Sequence, residues 1–587
     1  MNNWDLSYFY KNEEEFSSEF ESLAGYIPRL GAYKGTLSDS EKLKEYFILS
    51  EEFEKKLFRV YQYSHLRSDL NKKDTESAST VARVMNLLAN LEQATSFEAP
   101  EILSLGKDKV FAFIDENPRF ESYRFIMEKL FRGNEHILKE SEEKLLSYYS
   151  PVANAPSELY SKLSVADGKN KTIRLSGEKV TVTQGNWRAL IADAKSASDR
   201  KKIFEAIFSS YDDSKNTYAE IYSLVMNSEK ANVKARNYKS ILSSHLFDNN
   251  IPESVFKTLI SVAGKNTQAL KKYYKIRKKY LGLKAHRSYD RFIELAHSDK
   301  KYSYEEAKDI FLASLESTPA DFREKAREAL REGFVDVYEQ DGKRSGAYSS
   351  SVSDAHPFIL LNYTNTLDDV FTVAHEAGHS IHTLYTHEAQ PTKLQQYTIF
   401  VAEIASTFNE HLLLDHLIKS GNTSRHEKIM LLQKAIDEIV ATFYRQSLFA
   451  TYEYEVSKMV EKDEPIDHEV LSALMIKLYK KYYGIDISKE KVKQYVWAYI
   501  PHLFYTPFYV YQYATSFAAS FALYSAVKEN KEGAFENYIN LLKSGGSKYP
   551  IDQAREAGID FDKTETFMAV VDRLAELVDM LEKELFE

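Results

Sequence analysis

The chain has 587 residues, 43% of them hydrophobic, enough for a large core and, at roughly 100–200 residues per domain, about three structural units. It carries no cysteine, which excludes disulfide scaffolds, thiolate catalysis and thiolate-bound zinc. Its formal net charge of -10, with no clustered basic stripe, argues against a nucleic-acid partner.

The N-terminal "MNNWDLSYFYKNEEEFSSEF" is acidic and lacks an apolar run, so it does not read as a secretory signal, and the cytoplasm is the expected compartment. Residues 1–110 form an N-terminal helical region. There "SDSEKLKEYFILSEEFEKKLFRVYQYSHLRSDL" repeats apolar positions every three or four residues. Residues 111–195 are a mixed segment in which "KTIRLSGEKVTVTQ" alternates on both sides of "SGEK", predicting a β-hairpin. The remainder, 196–587, returns to helical periodicity and is interrupted by short β-type runs, "GFVDVYEQ", "RSGAYSSSV" and "HPFILLNYTN", with "DGKRSG" and "SDAHP" as turn signals. "FILLNY" reads either as a core strand or as an edge to which an extended peptide can add.

Directly afterwards comes "TLDDVFTVAHEAGHSIHTLY". Thr366 and Asp369 stand at capping-box spacing, and the helix they open holds His375 and His379 one turn apart on one face. Two such imidazoles can converge on one zinc. Glu376, rotated by about 100°, can reach a water there without ligating the ion, which is the HExxH arrangement of ligands and general base. The plain alternative is a solvated histidine and glutamate face. The small neighbours Ala374, Ala377 and Gly378 would leave room for a substrate.

A catalytic zinc needs a third protein ligand. His382 is separated from His375 by about 10.5 Å of helix, and no glycine turn brings His387 back. Both are read as polar helix-face residues. Glu403 interrupts the apolar run "YTIFVAEIASTFNEHLLLDHL", where a carboxylate is costly unless something positive receives it. It is the candidate third ligand, with a salt bridge to a buried Lys or Arg as the alternative. Glu410 is either a further ligand or a partner for one of the histidines.

From Val496 to Val527 no Asp, Glu, Lys or Arg occurs. Two prolines and six tyrosines make it a poor membrane span. It reads as a buried aromatic wall, near a working site or merely packed.

Together, "HEAGHSIH", "VAEIAST" and "IPHLFYTPFYVYQYATSF", with "WDLSYFY", "DVYEQDGKRSGAYS", "FYRQSLFATYEYE" and "LLKSGGSKYPID", resemble the oligoendopeptidase F branch of the thimet oligopeptidase-like zinc metallopeptidases over essentially the whole chain. The resemblance implies a mainly α fold: a two-lobed helical ellipsoid with a deep central channel, and a small β-sheet beside the zinc-binding helix. The segment 196–587 is then the catalytic domain. It implies one zinc per chain held by His375, His379 and Glu403, with Glu376 as general base. His502, Tyr509 and Tyr511 would face the substrate, and Tyr348 and Tyr505 would help bind it. Some descriptions of the family use the third histidine, here His382, as a ligand; helix geometry favours Glu403. In more distant members the loop after His502 is richer in glycine, whereas here it is "LFYTPF". The substrates implied are short peptides, cut internally. An exopeptidase gripping a terminal carboxylate through Arg344 or Arg445, or a metal-free peptide-binding protein, are the alternatives.

Overall fold

The computed structural model describes residues 3–352, 355–420 and 423–587. Helix accounts for 71% and strand for 3%, so the class is mainly α. Near the N-terminus, α1 (Ser40–Leu70) and α2 (Thr75–Thr95) pair. Each starts at an aspartate: Asp39 accepts the Glu41 and Lys42 amides at 2.8 and 3.2 Å, and Asp74 accepts that of Glu76 at 3.0 Å, satisfying N–H groups that a helix start leaves open. Along α1, Leu43, Phe47, Phe53, Leu57 and Val60 are buried.

The expected hairpin is β1 (Lys171–Leu175) and β2 (Glu178–Val182), antiparallel, with Leu175 opposite Glu178. Its two turn residues, Ser176 and Gly177, have φ of 51° and 95°, the left-handed pair that two-residue hairpins require.

The three β-type runs form one sheet: β3 (Val335–Asp336), β4 (Tyr348–Ser350) and β5 (Phe358–Leu360). The order is β3-β5-β4, with β3 parallel to β5 and β4 antiparallel to it. Ser353 and Asp354 of the "SDAHP" turn signal lie outside the described residues, as do Met1 and Asn2. The "FILLNY" run is therefore central, and the reading of it as a peptide-accepting edge is corrected. Phe358, Ile359 and Leu360 are all buried, and both backbone edges of β5 are paired. The N-terminal aromatic motif closes over this strand. The Trp4 indole N–H donates to the Ile359 carbonyl at 2.8 Å, and its ring meets Phe358 edge-on.

Beyond the sheet run α3 (Leu367–Ala389), α4 (Ile399–Lys419), α5 (Arg445–Glu461), α6 (Tyr511–Lys528) and α7 (Ala534–Lys543). Two compact units result, each assembled from three stretches of chain. The first is Met1–Glu135, Lys300–His416 and Ala526–Gly558; the second is His136–Asp299, Leu417–Ser525 and Ile559–Glu587. The first holds the sheet β3–β5 and α3, and the second holds the hairpin and α5. The uncharged segment 496–527 is broken at Pro501 and Pro507 into short helical turns before α6, and most of it is buried. Among the described residues, no helix is long and apolar enough to cross a membrane.

Candidate active site

The histidine helix α3 opens as its sequence requires. Thr366 accepts the Asp369 amide at 3.3 Å, and the Asp369 carboxylate accepts the Thr366 amide at 2.8 Å, a reciprocal capping box. Within α3, Gly378 decides what comes next. A Cβ there would stand 2.7 Å from the Ala405 carbonyl and from the Ser406 Cα, so α4 crosses α3 backbone to backbone. The small face at Ala374, Ala377 and Gly378 thus serves helix packing, with both alanines fully buried, rather than leaving space for a substrate. That crossing carries Glu403 to the imidazoles.

The loop joining α3 to α4 is braced by the "LLKSGGSKYP" segment. Gly546 donates to the Leu394 carbonyl at 2.7 Å, Thr386 to the Leu542 carbonyl at 2.8 Å and Gln390 to the Lys543 carbonyl at 2.8 Å. No side chain fits at Gly546, because its Cβ would meet the Gln396 carbonyl.

His375, His379 and Glu403 each offer one ligand atom, all within 4.8 Å of one another. Both Nε2 atoms face the same Glu403 oxygen, at 3.4 Å from His375 and 3.6 Å from His379. The far sides of the rings are engaged: Glu410 binds His375 at Nδ1, 2.5 Å away, and the Ala402 carbonyl acts on His379. The Ser406 hydroxyl donates to the Glu403 carboxylate at 2.9 Å. Glu403 therefore answers to the histidines, and the buried Lys or Arg considered as its partner is not what it meets. Two imidazole nitrogens and one carboxylate oxygen, oriented from behind by a carboxylate and a carbonyl, suit a tetrahedral zinc with one open position.

The electrostatics point the same way. Burial works against charge on His375, but hydrogen bonds to Glu403 and Glu410 outweigh it and raise its pKa well above the ordinary value. Burial and the neighbouring His375 push His379 down to about 4. Glu403, despite burial, is pulled down to about 2 by the His375 hydrogen bond and by the charges of both imidazoles. The cluster is thus built around a positive charge. Glu376 is buried beside it, and burial pushes it up to about 7 against the pull of His375. Its Oε2 has no hydrogen-bond partner. The Ser349 amide of β4 acts on the Glu376 carboxyl and favours its charged form, and the Ser349 hydroxyl is bonded to that of Ser380 of α3 at 2.9 Å.

His382, read as a polar face residue, is instead buried. Its ring stacks on Tyr397 at 3.7 Å, and burial pushes it down to about 3. It is a neutral core imidazole, and it is not in the ligand cluster. His387 lies half-buried in the last turn of α3.

Tyr348, on β4, gives its hydroxyl to Asp69 at 2.6 Å, and Arg344 pairs with the same carboxylate at 3.0 Å. In the second unit, His502 lies half-buried with Tyr509 stacked 6.0 Å from it and Tyr513 edge-on at 6.2 Å. Burial, then the nearby Arg445, lowers the His502 pKa, keeping the ring neutral and able to donate. Tyr511 points elsewhere, buried edge-on against Phe256. Tyr513, in the first turn of α6, was not among the expected site residues, yet its ring meets both His502 and Tyr509. Tyr505 is exposed, against Tyr160, and lines a pocket of about 430 Å³ together with His502, Tyr211 and Arg445.

A helical fold with a two-histidine, one-carboxylate cluster and a free glutamate beside it defines a metallopeptidase-type site. Comparison with known proteins gives the family. Residues 190–572 match the model of peptidase family M3, and residues 101–169 match that of oligopeptidase F. Oligopeptidase PepF of Bacillus subtilis is 34% identical over 587 residues, covering 100% of this chain and 87% of its own length. An oligoendopeptidase F homolog of Borreliella burgdorferi is 35% identical over 573 residues, covering 96% and 95%. The crystal structure of oligoendopeptidase-F from Enterococcus faecium superposes with a TM-score of 0.75 at 27% identity, covering 97% of this chain and 99% of that one. The chain belongs to peptidase family M3, in its oligoendopeptidase F branch, and is a metalloendopeptidase.

Proposed function

We propose that this chain is a zinc-dependent oligoendopeptidase that hydrolyses internal bonds of short, unstructured peptides. The observation that carries the reading is the meeting of His375 Nε2, His379 Nε2 and the Glu403 carboxylate within 4.8 Å, with Glu376 buried beside them and one oxygen unpartnered. One zinc per chain, held by these three residues, supplies Lewis acidity and a water acidified to near neutrality.

The protein's part is positioning and proton transfer. Glu403 is held from behind by Ser406 and His375 by Glu410, contacts that would orient both toward a bound metal. Glu376 takes the proton of the attacking water at its free oxygen and hands it to the leaving amine. His502 and Tyr509, which the family resemblance assigns to the substrate, carry donors suited to a developing oxyanion; Tyr513 joins them by proximity, and Tyr505 contributes to substrate binding. Tyr348 acts through its backbone strand, since Asp69 holds its hydroxyl. The proposed ligands, Glu376 and His502 all fall in the stretch from residue 196 onward.

The test is a peptide of about ten residues, internally quenched and blocked at both ends. Internal cleavage that a chelator abolishes and zinc restores supports the proposal. Cleavage only of peptides with a free terminus would assign an exopeptidase, and no cleavage with full metal would leave a binding protein.

A further inference from the structure

The second unit holds a cavity of about 40 Å³ whose wall is charged with one sign only. Lys493, Arg445, Arg291 and Arg188 line it, between the rings of Phe208 and Tyr479 among others, and no aspartate or glutamate does. Among the described residues, none of the four cations is paired with a carboxylate. Arg188 donates to the Tyr499 hydroxyl at 3.0 Å. The Lys493 ammonium lies 4.8 Å from the Phe208 ring centre and 5.4 Å from that of Tyr479, and the Arg445 guanidinium lies 5.3 Å from that of Phe449. The acidic side chain that acts on Lys493, Glu490, is itself held by the Ser288 amide at 2.9 Å and by the Ser288 hydroxyl.

A buried charge is kept only when it is paired or neutralised. Of the four, Lys493 is buried, Arg445 and Arg291 are half-buried and Arg188 is exposed, and a guanidinium such as that of Arg445 has no neutral form at accessible pH. Lys493 has one, and burial followed by the Arg445 charge pulls it down to about 7. Ring faces and the nearby Glu490 offset part of the cost, but no carboxylate stands in the wall itself.

We propose that this cavity binds one small monovalent inorganic anion of halide size, held by Lys493, Arg445 and Arg291. The space exceeds the roughly 10–15 Å³ that one water needs and is far below what a peptide or an organic cofactor fills. Arg445, Arg188 and Tyr499 also line the larger pocket that contains His502 and Tyr505. The anion therefore fixes a wall common to both, and any effect on peptide cleavage rests on the function proposed above. Binding itself does not.

The experiment compares thermal unfolding of the full chain in sodium chloride and in sodium gluconate at equal ionic strength, before and after metal removal by a chelator. Chloride is expected to raise Tm by about 1–2 °C, saturably, in both metal states, and Lys493→Met to abolish the shift. Crystals grown in sodium bromide are expected to show an anomalous peak between Lys493, Arg445 and Arg291. Equal Tm in the two salts with no bromide in the cavity would overturn the proposal, as would an undiminished chloride shift in Lys493→Met. Should that variant fail to fold, the bromide peak in the unsubstituted protein decides alone. Because the metal-free protein is expected to keep the shift, failure here and failure of the peptidase reading are separable.

Discussion

Glu410 lies two helical turns beyond Glu403 on α4 and grips His375 at Nδ1, which leaves Nε2 for a metal. A carboxylate behind a ligand histidine fixes its tautomer and raises its basicity. Glu410→Gln is expected to lower zinc affinity by about 10–100-fold, measured by competition with a chromophoric chelator. The neighbouring Glu376 has the opposite profile, since it holds no ligand and keeps a free oxygen. Glu376→Gln should retain a full equivalent of metal and lose about a thousandfold or more in kcat; equal loss of metal and turnover would make it a ligand instead. These residues were legible in the sequence because four residues make one helical turn, so His375, His379 and Glu376 fix one another's directions. Glu403 was legible through the cost of a carboxylate in an apolar run, although its partner was open until α4 was placed. The fate of His382 was not legible. It shares the face of His375, and whether that face is wet depends on Tyr397, which arrives from a loop whose path no local pattern reveals. That Tyr513 and not Tyr511 lies beside His502 was hidden for a related reason. Two prolines hide where α6 starts, and each residue of error in its phase turns a side chain by about 100°.

Helix contacts carry the site's precision. The crossing of α3 and α4 depends on Gly378, where an added methyl would meet α4 backbone at 2.7 Å with no flexible side chain to give way. Gly378→Ala is expected to cost about 1–3 kcal/mol of stability and to weaken metal binding by moving Glu403; thermal unfolding and metal content read the two effects separately. A second linkage lies in the other unit. There Glu453 of α5 accepts the Phe508 amide at 2.7 Å, and Phe508 itself has φ of 56°, a strained conformation for a bulky residue. Burial pushes the Glu453 carboxyl up to about 8, against the pull of that amide. The folded chain thus holds a proton that the unfolded chain releases near pH 4.5. This contribution to stability is fully present below that pH and is lost as pH rises toward 8. Replacing Glu453 by Gln should remove this dependence, so that the variant gains about 2–4 kcal/mol on the parent between pH 5 and pH 8, read from denaturant unfolding at a series of pH values. An unchanged pH slope would mean that Glu453 is ionised when folded.

At the scale of the whole chain, both compact units are discontinuous in sequence, which explains the uneven legibility of the fold. Helix content, the hairpin and the three short strands follow from periodicity and turn chemistry, each decided within about ten residues. Which strand lies in the middle is decided by residues far apart: Trp4 caps β5, and β3 and β4 flank it on either side. The same long-range assembly brings the 544–550 loop under the α3–α4 connection, so a glycine pair distant in sequence supports the metal site. On the function proposed above, His375, His379 and Glu403 hold one zinc and His382 takes no part. Elemental analysis of the purified chain beside Glu403→Ala and His382→Ala tests it most directly. About one zinc per chain is expected in the parent and in His382→Ala, and little or none in Glu403→Ala. Full zinc in Glu403→Ala together with its loss in His382→Ala would contradict it.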